Sequence, residues 1–207
     1  MTTDSHYYTI EKPSVAVFKE RGSKFIAYAF PIADVGEFKL RLAEIKKEHP
    51  KATHHCFAYR LGLDGNTYRV SDDGEPSGSA GKPILGQIDS KQITNVLVIV
   101  VRYFGGTQLG IPGLITAYKT TAAFALQTTA IVQKPVLHHF QLQFDYTQMN
   151  EVMMVVKQFD CVVEKQDPES IREQLFCSMN IGVPQNWLVE VENKLNDLRG
   201  VEINFVK

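Results

Sequence analysis

Cysteine is scarce in this 207-residue chain: three, at Cys56, Cys161 and Cys177, with no CxxC pair. That excludes a disulfide scaffold, lacks the close ligand pairs of a structural zinc site, and fits a reduced, cytoplasmic compartment. Long apolar runs are missing too. The run Val96 to Val101 is far too short to span a bilayer, so no membrane is expected. Residues Met1 to His6 carry neither a basic n-region nor an apolar h-region, so no signal peptide is evident. Charge of one sign is also lacking, at a net −1. An all-over grip on a polyanion is thereby excluded. No repeat or low-complexity segment interrupts a composition that is 44% hydrophobic and 22% charged. The chain can bury a core, as one large domain or two small ones.

The charge that is present is uneven. Up to Gln133 there are 15 Lys+Arg and 12 Asp+Glu, a net of +3; the rest has 7 and 11, a net of −4. A local basic face on the N-terminal region remains open.

Glycine is present in ordinary amount, but it is clustered. Ser71-Asp72-Asp73-Gly74-Glu75-Pro76-Ser77-Gly78-Ser79-Ala80-Gly81-Lys82-Pro83 forms one loop. Arg102-Tyr103-Phe104-Gly105-Gly106-Thr107-Gln108-Leu109-Gly110-Ile111-Pro112-Gly113-Leu114 forms another. Between them lies Val96 to Val101, an apolar run without alternation, which predicts a strand covered on both faces. Glycine costs backbone entropy, so such clusters mark unusual φ angles or close approach to the backbone.

The remaining periodicities predict an α+β fold. Val15 to Glu20 and Lys24 to Phe30 read as strands around a turn at Arg21-Gly22-Ser23. Val35 to Glu48 repeats Phe38, Leu42 and Ile45 at helical spacing and stops before Pro50. His54 to Leu61 and Thr67 to Ser71 make a second hairpin around Asp64-Gly65. A helix opens at Pro112-Gly113 and runs to about Thr129, so the N-terminal region has a pair of helices. Lys134-Pro135 marks a boundary, with domains at 1–133 and 136–207. The C-terminal region reads strand Val136–Phe144, a helix stripe from Met149 to Phe159, strands Cys161–Lys165 and Ile171–Met179, a helix stripe from Leu188 to Leu198, and strand Val201–Val206. That is the β-α-β-β-α-β order of a ferredoxin-like domain.

Candidate chemistry sits in the loops. Asp72, Asp73 and Glu75 serve either as paired carboxylates for acid/base or metal work, or as caps bonding the loop's own amides. His54 and Cys56 share a strand face and His55 does not, so neither a zinc site nor a Cys–His dyad is expected. Ser77 and Ser79 do not form a Gly-x-Ser-x-Gly elbow. No catalytic residue, metal or cofactor is assigned. The second loop, through Gly105, Gly106 and Gly110, leads from a buried strand to a helix start. This arrangement serves either tight packing or anion binding by free N–H groups. Arg60, Arg69, Lys82, Arg102 and Lys119 are the nearby cations, and Tyr103 and Phe104 serve either as stacking rings for bases or as core at the end of the strand.

Taken in order, His54-His55-Cys56-Phe57-Ala58-Tyr59-Arg60, the Ser71–Pro83 loop, Asn95 to Gly106, and Leu109-Gly110 resemble the IMPACT/YigZ family. The resemblance implies a first domain of the ribosomal-protein and elongation-factor-G βαβ type and a ferredoxin-like second domain. It implies a cytoplasmic binding protein like the translation and stress-response regulators of eukaryotes, which act by binding a large scaffold protein. Nucleic-acid (RNA) or ribosome contact is inferred for bacterial members from their fold. The alternative is a small-molecule enzyme on a phosphorylated or nucleotide substrate, using Asp72, Asp73 and Glu75. The chain departs from the usual Leu-Gly-Thr-Gly-Gly-Leu-Val-Arg at Pro112, where glycine is expected, and at Thr116, where arginine is expected. If that arginine meets phosphate in relatives, one charge-assisted contact is lost here, with Lys119 a turn away.

Overall fold

In the computed structural model, residues 5–171 and 174–206 are described, those at 166–171 and 174–176 by their backbone alone. The chain is a mixed α+β protein that divides into two compact units. One is Tyr7–Lys134; the other is residues 135–206 together with residues 5 and 6.

The first unit is built on β1 (His6–Ile10), β2 (Ser14–Glu20), β3 (Ser23–Pro31), α1 (Val35–Glu48), β4 (His54–Leu61), β5 (Thr67–Ser71), α2 (Gly81–Ser90), β6 (Val96–Tyr103), α3 (Gly110–Gln127) and β7 (Ile131–Pro135). Its main sheet has the order β2-β3-β6-β4-β5 with every neighbouring pair antiparallel. β3 and β4 both oppose β6, so they run parallel to each other with β6 between them. The β3-α1-β4 segment is thus a split βαβ unit. β6 is the central strand, and Val96 to Arg102 are all buried, as an unbroken apolar run requires.

Two cores flank this sheet. α2 and α3 cover one face, packing Ile84, Ile88, Leu114, Tyr118 and Leu126 on Phe25, Ala27, Cys56, Ala58, Val98 and Val100. The small residues Ala27, Ala29 and Ala58 let these helices lie close. α1 covers some of the other face, with Phe38 and Ile45 on Phe57, Tyr59, Leu97 and Ile99. Asp34 starts α1 by accepting the Glu37 N–H at 2.9 Å, which satisfies one of the helix's free N-terminal donors.

Four details differ from the sequence-based expectation. First, the N-terminal region holds three helices rather than two. α2 is masked in the sequence because Pro83 reads as a loop residue. Proline is tolerated in a first helical turn, where its missing N–H has no helical partner to lose. Second, the β2–β3 turn is the pair Arg21-Gly22, both at positive φ (44° and 82°), and Ser23 already belongs to β3. This is the two-residue hairpin geometry that matches strand twist. Third, α3 begins at Gly110, two residues before Pro112, for the same reason that masks α2. Fourth, β1 and β7 have no counterpart in the expected pattern. They pair with each other as a separate ribbon, and the Glu11 N–H donates to Ala130 O at 2.9 Å.

The second unit follows as β8 (Leu137–Asp145), α4 (Met149–Gln158), β9 (Val162–Ile171), β10 (Gln174–Pro184), α5 (Leu188–Asn196) and β11 (Val201–Phe205). Strand order is β11-β8-β10-β9, wholly antiparallel. The element order is the ferredoxin-like one. The two helices bury Val152, Val156, Val191 and Leu195 against Phe140, Leu142, Phe144, Met179 and Ile181. β9 extends well past Lys165, and β10 runs five residues beyond Met179.

The expected boundary at 133–136 is not a free linker. β7 occupies it, Val136 is buried, and the Val136 N–H donates to Ser5 O at 2.8 Å. A protease needs a backbone it can lift away. Limited proteolysis read by mass spectrometry is therefore expected to cut between Leu63 and Asn66, at the exposed β4–β5 turn, before it cuts between 131 and 136. A first cut at 131–136 would show that the ribbon opens readily.

Candidate functional site

The two glycine-rich loops meet at one end of the first sheet, and their chemistry is organised by two carboxylates. Asp72, just past β5, accepts N–H bonds from Gly78 (2.8 Å), Ala80 (3.0 Å) and Gly81 (2.8 Å). Ala80 supplies no side-chain cap to α2, so Asp72 caps that helix from eight residues away. Burial works to raise the Asp72 pKa, but the three amides and the nearby Lys82 outweigh it and hold the carboxyl below its ordinary value. Gly81 is required here, because a Cβ would stand 2.8 Å from the Ser71 backbone nitrogen.

Glu75 points the other way, into the core between β4, β6 and α3. Its Oε1 accepts from Arg102 Nη1 at 2.6 Å and from the Tyr118 hydroxyl at 2.8 Å, with His54 Nε2 at 3.8 Å. The Glu75 and Arg102 side chains are only 4% and 6% exposed. Arg102 lies over the Phe25 and Phe104 rings, 5.5 Å from each centroid, and its Nη2 reaches Ser23 Oγ at 3.5 Å. Ser23 Oγ in turn accepts the Gly105 N–H at 3.2 Å. Cys56 Sγ lies 3.3 Å from the Tyr118 hydroxyl and 3.0 Å from Asp72 O. Burial pushes both the Cys56 thiol and the Tyr118 hydroxyl upward in pKa, so each stays protonated and neither is an activated nucleophile.

The expected site residues therefore separate. Ser79 is fully buried and donates to Pro76 O at 2.6 Å. Asp73 accepts the His55 N–H at 2.6 Å, and its carbonyl takes His54 Nδ1 at 2.8 Å. Arg60 pairs with Asp89 at 2.6 Å, bonds to Gly65 O and lies over Tyr68. Tyr103 turns to the opposite face, its hydroxyl 2.8 Å from His49 Nδ1. Ser77, Lys82, Arg69 and Lys119 are exposed. Of the expected cations, Arg102 sits inside, facing Glu75, and Arg60 is tied to Asp89. No group of His, Cys, Asp and Glu with metal-holding geometry occurs among the described residues.

The second loop is shaped by backbone packing. A Cβ at Gly105 would lie 1.9 Å from the Gly22 carbonyl carbon, so the loop rests directly on the β2–β3 turn. Gly106 and Gly110 adopt positive φ, 85° and 68°. At the start of α3, Leu109 gives no side-chain cap, and Pro112 lacks the N–H that a bound anion would use. Thr116 returns its hydroxyl to Pro112 O at 3.0 Å. On this loop and the first turns of α3, the apolar Phe104, Ile111 and Ile115 are 49%, 53% and 38% exposed, alongside the exposed Thr107, Gln108 and Thr116.

A family model described as the Impact N-terminal domain matches residues 21–126, which spans both loops and the Glu75–Arg102 pair. IMPACT family member YigZ of Escherichia coli is 32% identical over 187 residues, 89% of each chain. The chain belongs to the IMPACT family. A solved structure described only as that of a hypothetical protein aligns over 98% of both chains with a TM-score of 0.73 at 28% identity. Protein IMPACT of Mus musculus is 36% identical over 110 residues, 49% of this chain and 34% of its own length.

Sequence reasoning missed Tyr118 and Ser23 as members of this network. Tyr118 lies one helical turn after Leu114, so it reads as core. Only its hydroxyl, which a buried tyrosine must bond, hints at a polar partner.

Two outcomes follow. Arg102→Ala leaves the Glu75 carboxylate buried and unpaired, and is expected to cost about 3–5 kcal/mol in urea unfolding. The double change Arg102→Met with Glu75→Leu is expected to recover most of that loss. For Asp72, a folded pKa below the unfolded one gives stability that is present above the ordinary carboxylate range and is lost as pH falls through it. Asp72→Asn should therefore destabilise by about 1–2 kcal/mol at neutral pH, and the gap to the parent protein should narrow as the pH is lowered into the acid range.

Proposed function

We propose that this protein is a regulatory binding protein of the translation and stress-response type, which acts by docking a protein partner on the surface around its second glycine-rich loop. The observation that carries the proposal is the exposed trio Phe104, Ile111 and Ile115 on and beside that loop. Apolar side chains grouped at a rigid, glycine-shaped edge suit a protein surface better than a phosphate. The rigidity comes from the Gly105–Gly22 backbone contact and the buried Glu75–Arg102 pair beneath it. Family membership supports a regulatory role, since the eukaryotic relatives it resembles regulate translation through a scaffold partner.

RNA or ribosome contact through this same loop is less well served. Arg102 faces inward, Pro112 donates no N–H, and Thr116 carries no charge. The enzyme alternative is weaker still. Asp72 and Asp73 accept amide bonds, Glu75 is closed in by Arg102 and Tyr118, and Cys56 is held as a thiol. Among the described residues, no helix is long and apolar enough to cross a membrane.

The test is capture of partners from cell extract by the tagged full chain, with nuclease present. The parent protein is expected to retain a protein partner that nuclease and raised salt leave in place. Ile111→Glu with Ile115→Glu is expected to lose that partner without lowering the melting temperature, both side chains being exposed. Capture that disappears on nuclease treatment, or that survives the double change, would refute the docking surface.

A further inference from the structure

The sheet face beneath α1 is incompletely covered. α1 sets Phe38 and Ile45 over the middle strands. On β2, Val15 and Val17 remain 51% and 49% exposed, and Lys19 and Lys24 are exposed beside them. The Arg21-Gly22 turn sets the register so that Lys19 stands directly opposite Lys24, and Lys24 directly opposite Tyr103 on β6. Side chains two apart share a face, so both lysines lie on the Val17 and Ile26 side, away from α2 and α3.

Like charges directly opposed across two strands destabilise a hairpin. No acid relieves this pair, since among the described residues neither lysine makes an ion pair. Glu20 lies 3.7 Å from Arg21 and belongs to the other face of β2. Glu48 accepts the Tyr28 hydroxyl at 3.1 Å, and Asp73 is bonded to the His55 amide. Past Tyr103 the charge is mixed: its hydroxyl meets His49, the residue that ends α1, and Glu48 stands 3.5 Å from that imidazole. Lys46 and Lys47 fill the last turn of that helix, and Lys51 follows it. The α1 lysines have a local use, because cations favour a helix C-terminus. Lys19 lies on β2, the outer strand of the sheet, where a lysine discourages edge pairing, but Lys24 opposite it on β3 has no such use.

We propose that the Lys19–Lys24–Tyr103 row is a binding face for single-stranded RNA, separate from the apolar loop surface assigned to a protein partner. The lysines meet backbone phosphates. The open floor of Val15, Val17 and Tyr28 beside them gives bases an apolar surface to lie on. An acidic peptide would use the cations and leave that floor bare, which is why a base-bearing polyanion fits the face better.

The experiment is a titration of a fluorescent oligouridylate of roughly 20 nucleotides with the full chain, at salt from about 50 to 200 mM. Micromolar binding is expected at the low end, weakening steeply with salt. Lys19→Ala with Lys24→Ala is expected to weaken it and to flatten the slope of log K against log salt by about 1.4, two phosphate contacts on a single strand. Lys19→Arg with Lys24→Arg should retain binding. Lys19→Glu should bind worst yet melt no lower than the parent protein, because it replaces a repulsion with an attraction; a purely structural role would not couple these results. Lys82→Ala with Lys119→Ala should leave the titration unchanged. The proposal is overturned if there is no binding at the lowest salt or no change in the double alanine variant. It is also overturned if poly-glutamate of equal charge displaces the RNA as effectively as unlabelled RNA does.

Discussion

The Glu75 carboxylate is the point on which the first unit depends. One oxygen receives the Arg102 guanidinium from the central strand and the Tyr118 hydroxyl from the longest helix, within 2.6 and 2.8 Å. Both glycine-rich loops, β6 and α3 are therefore held through a single atom. A buried ion pair adds little to stability in itself, because desolvation offsets most of its attraction. Its effect is on specificity of structure. With both charges deeply enclosed, any arrangement that separates them leaves an unpaired charge in the core. The loop from Asp72 to Gly81 has one acceptable position, and Asp72 fixes its far end by capping α2.

Much of this is legible from the sequence where periodicity is strong. α1, β4 and β5 have the bounds their patterns predict, because the Phe38–Leu42–Ile45 stripe, Pro50 and Asp64-Gly65 are unambiguous local signals. The central position of β6 follows from a run with no polar face to expose. The elements that escape are those whose local signals point elsewhere. α2 contains Pro83 and Gly86, and only its position under Asp72 and over β4 makes it a helix. β1 and β7 are short and pair across more than a hundred residues, which no window of sequence can reveal.

Clustered glycine draws attention to the two loops, yet residue type alone does not say which charged groups face water. Arg102 ends an apolar strand on the face that carries Val98 and Val100, and strand alternation turns it inward; Tyr103 goes to the other side. Lys19 and Lys24, which stand opposite each other and face solvent, lie in a hairpin that composition gives no reason to notice. Their significance appears only once the two-residue turn fixes which residues stand opposite. The protein thus offers two chemically different surfaces at one end of a sheet: an apolar edge at the second loop and a cationic row beneath α1.

The β1–β7 ribbon has a consequence for how the chain is made. The strand His6–Ile10 leaves the ribosome before the rest of its unit, and its partner Ile131–Pro135 is synthesised more than a hundred residues later. During that interval β1 has no strand to pair with, while the β2–β3 and β4–β5 hairpins close locally as they emerge. β1 is thus among the last segments of its unit to be fastened. A nascent chain stalled before residue 131 would trail a free, unpaired strand, open to chaperones, while the sheet behind it could already form.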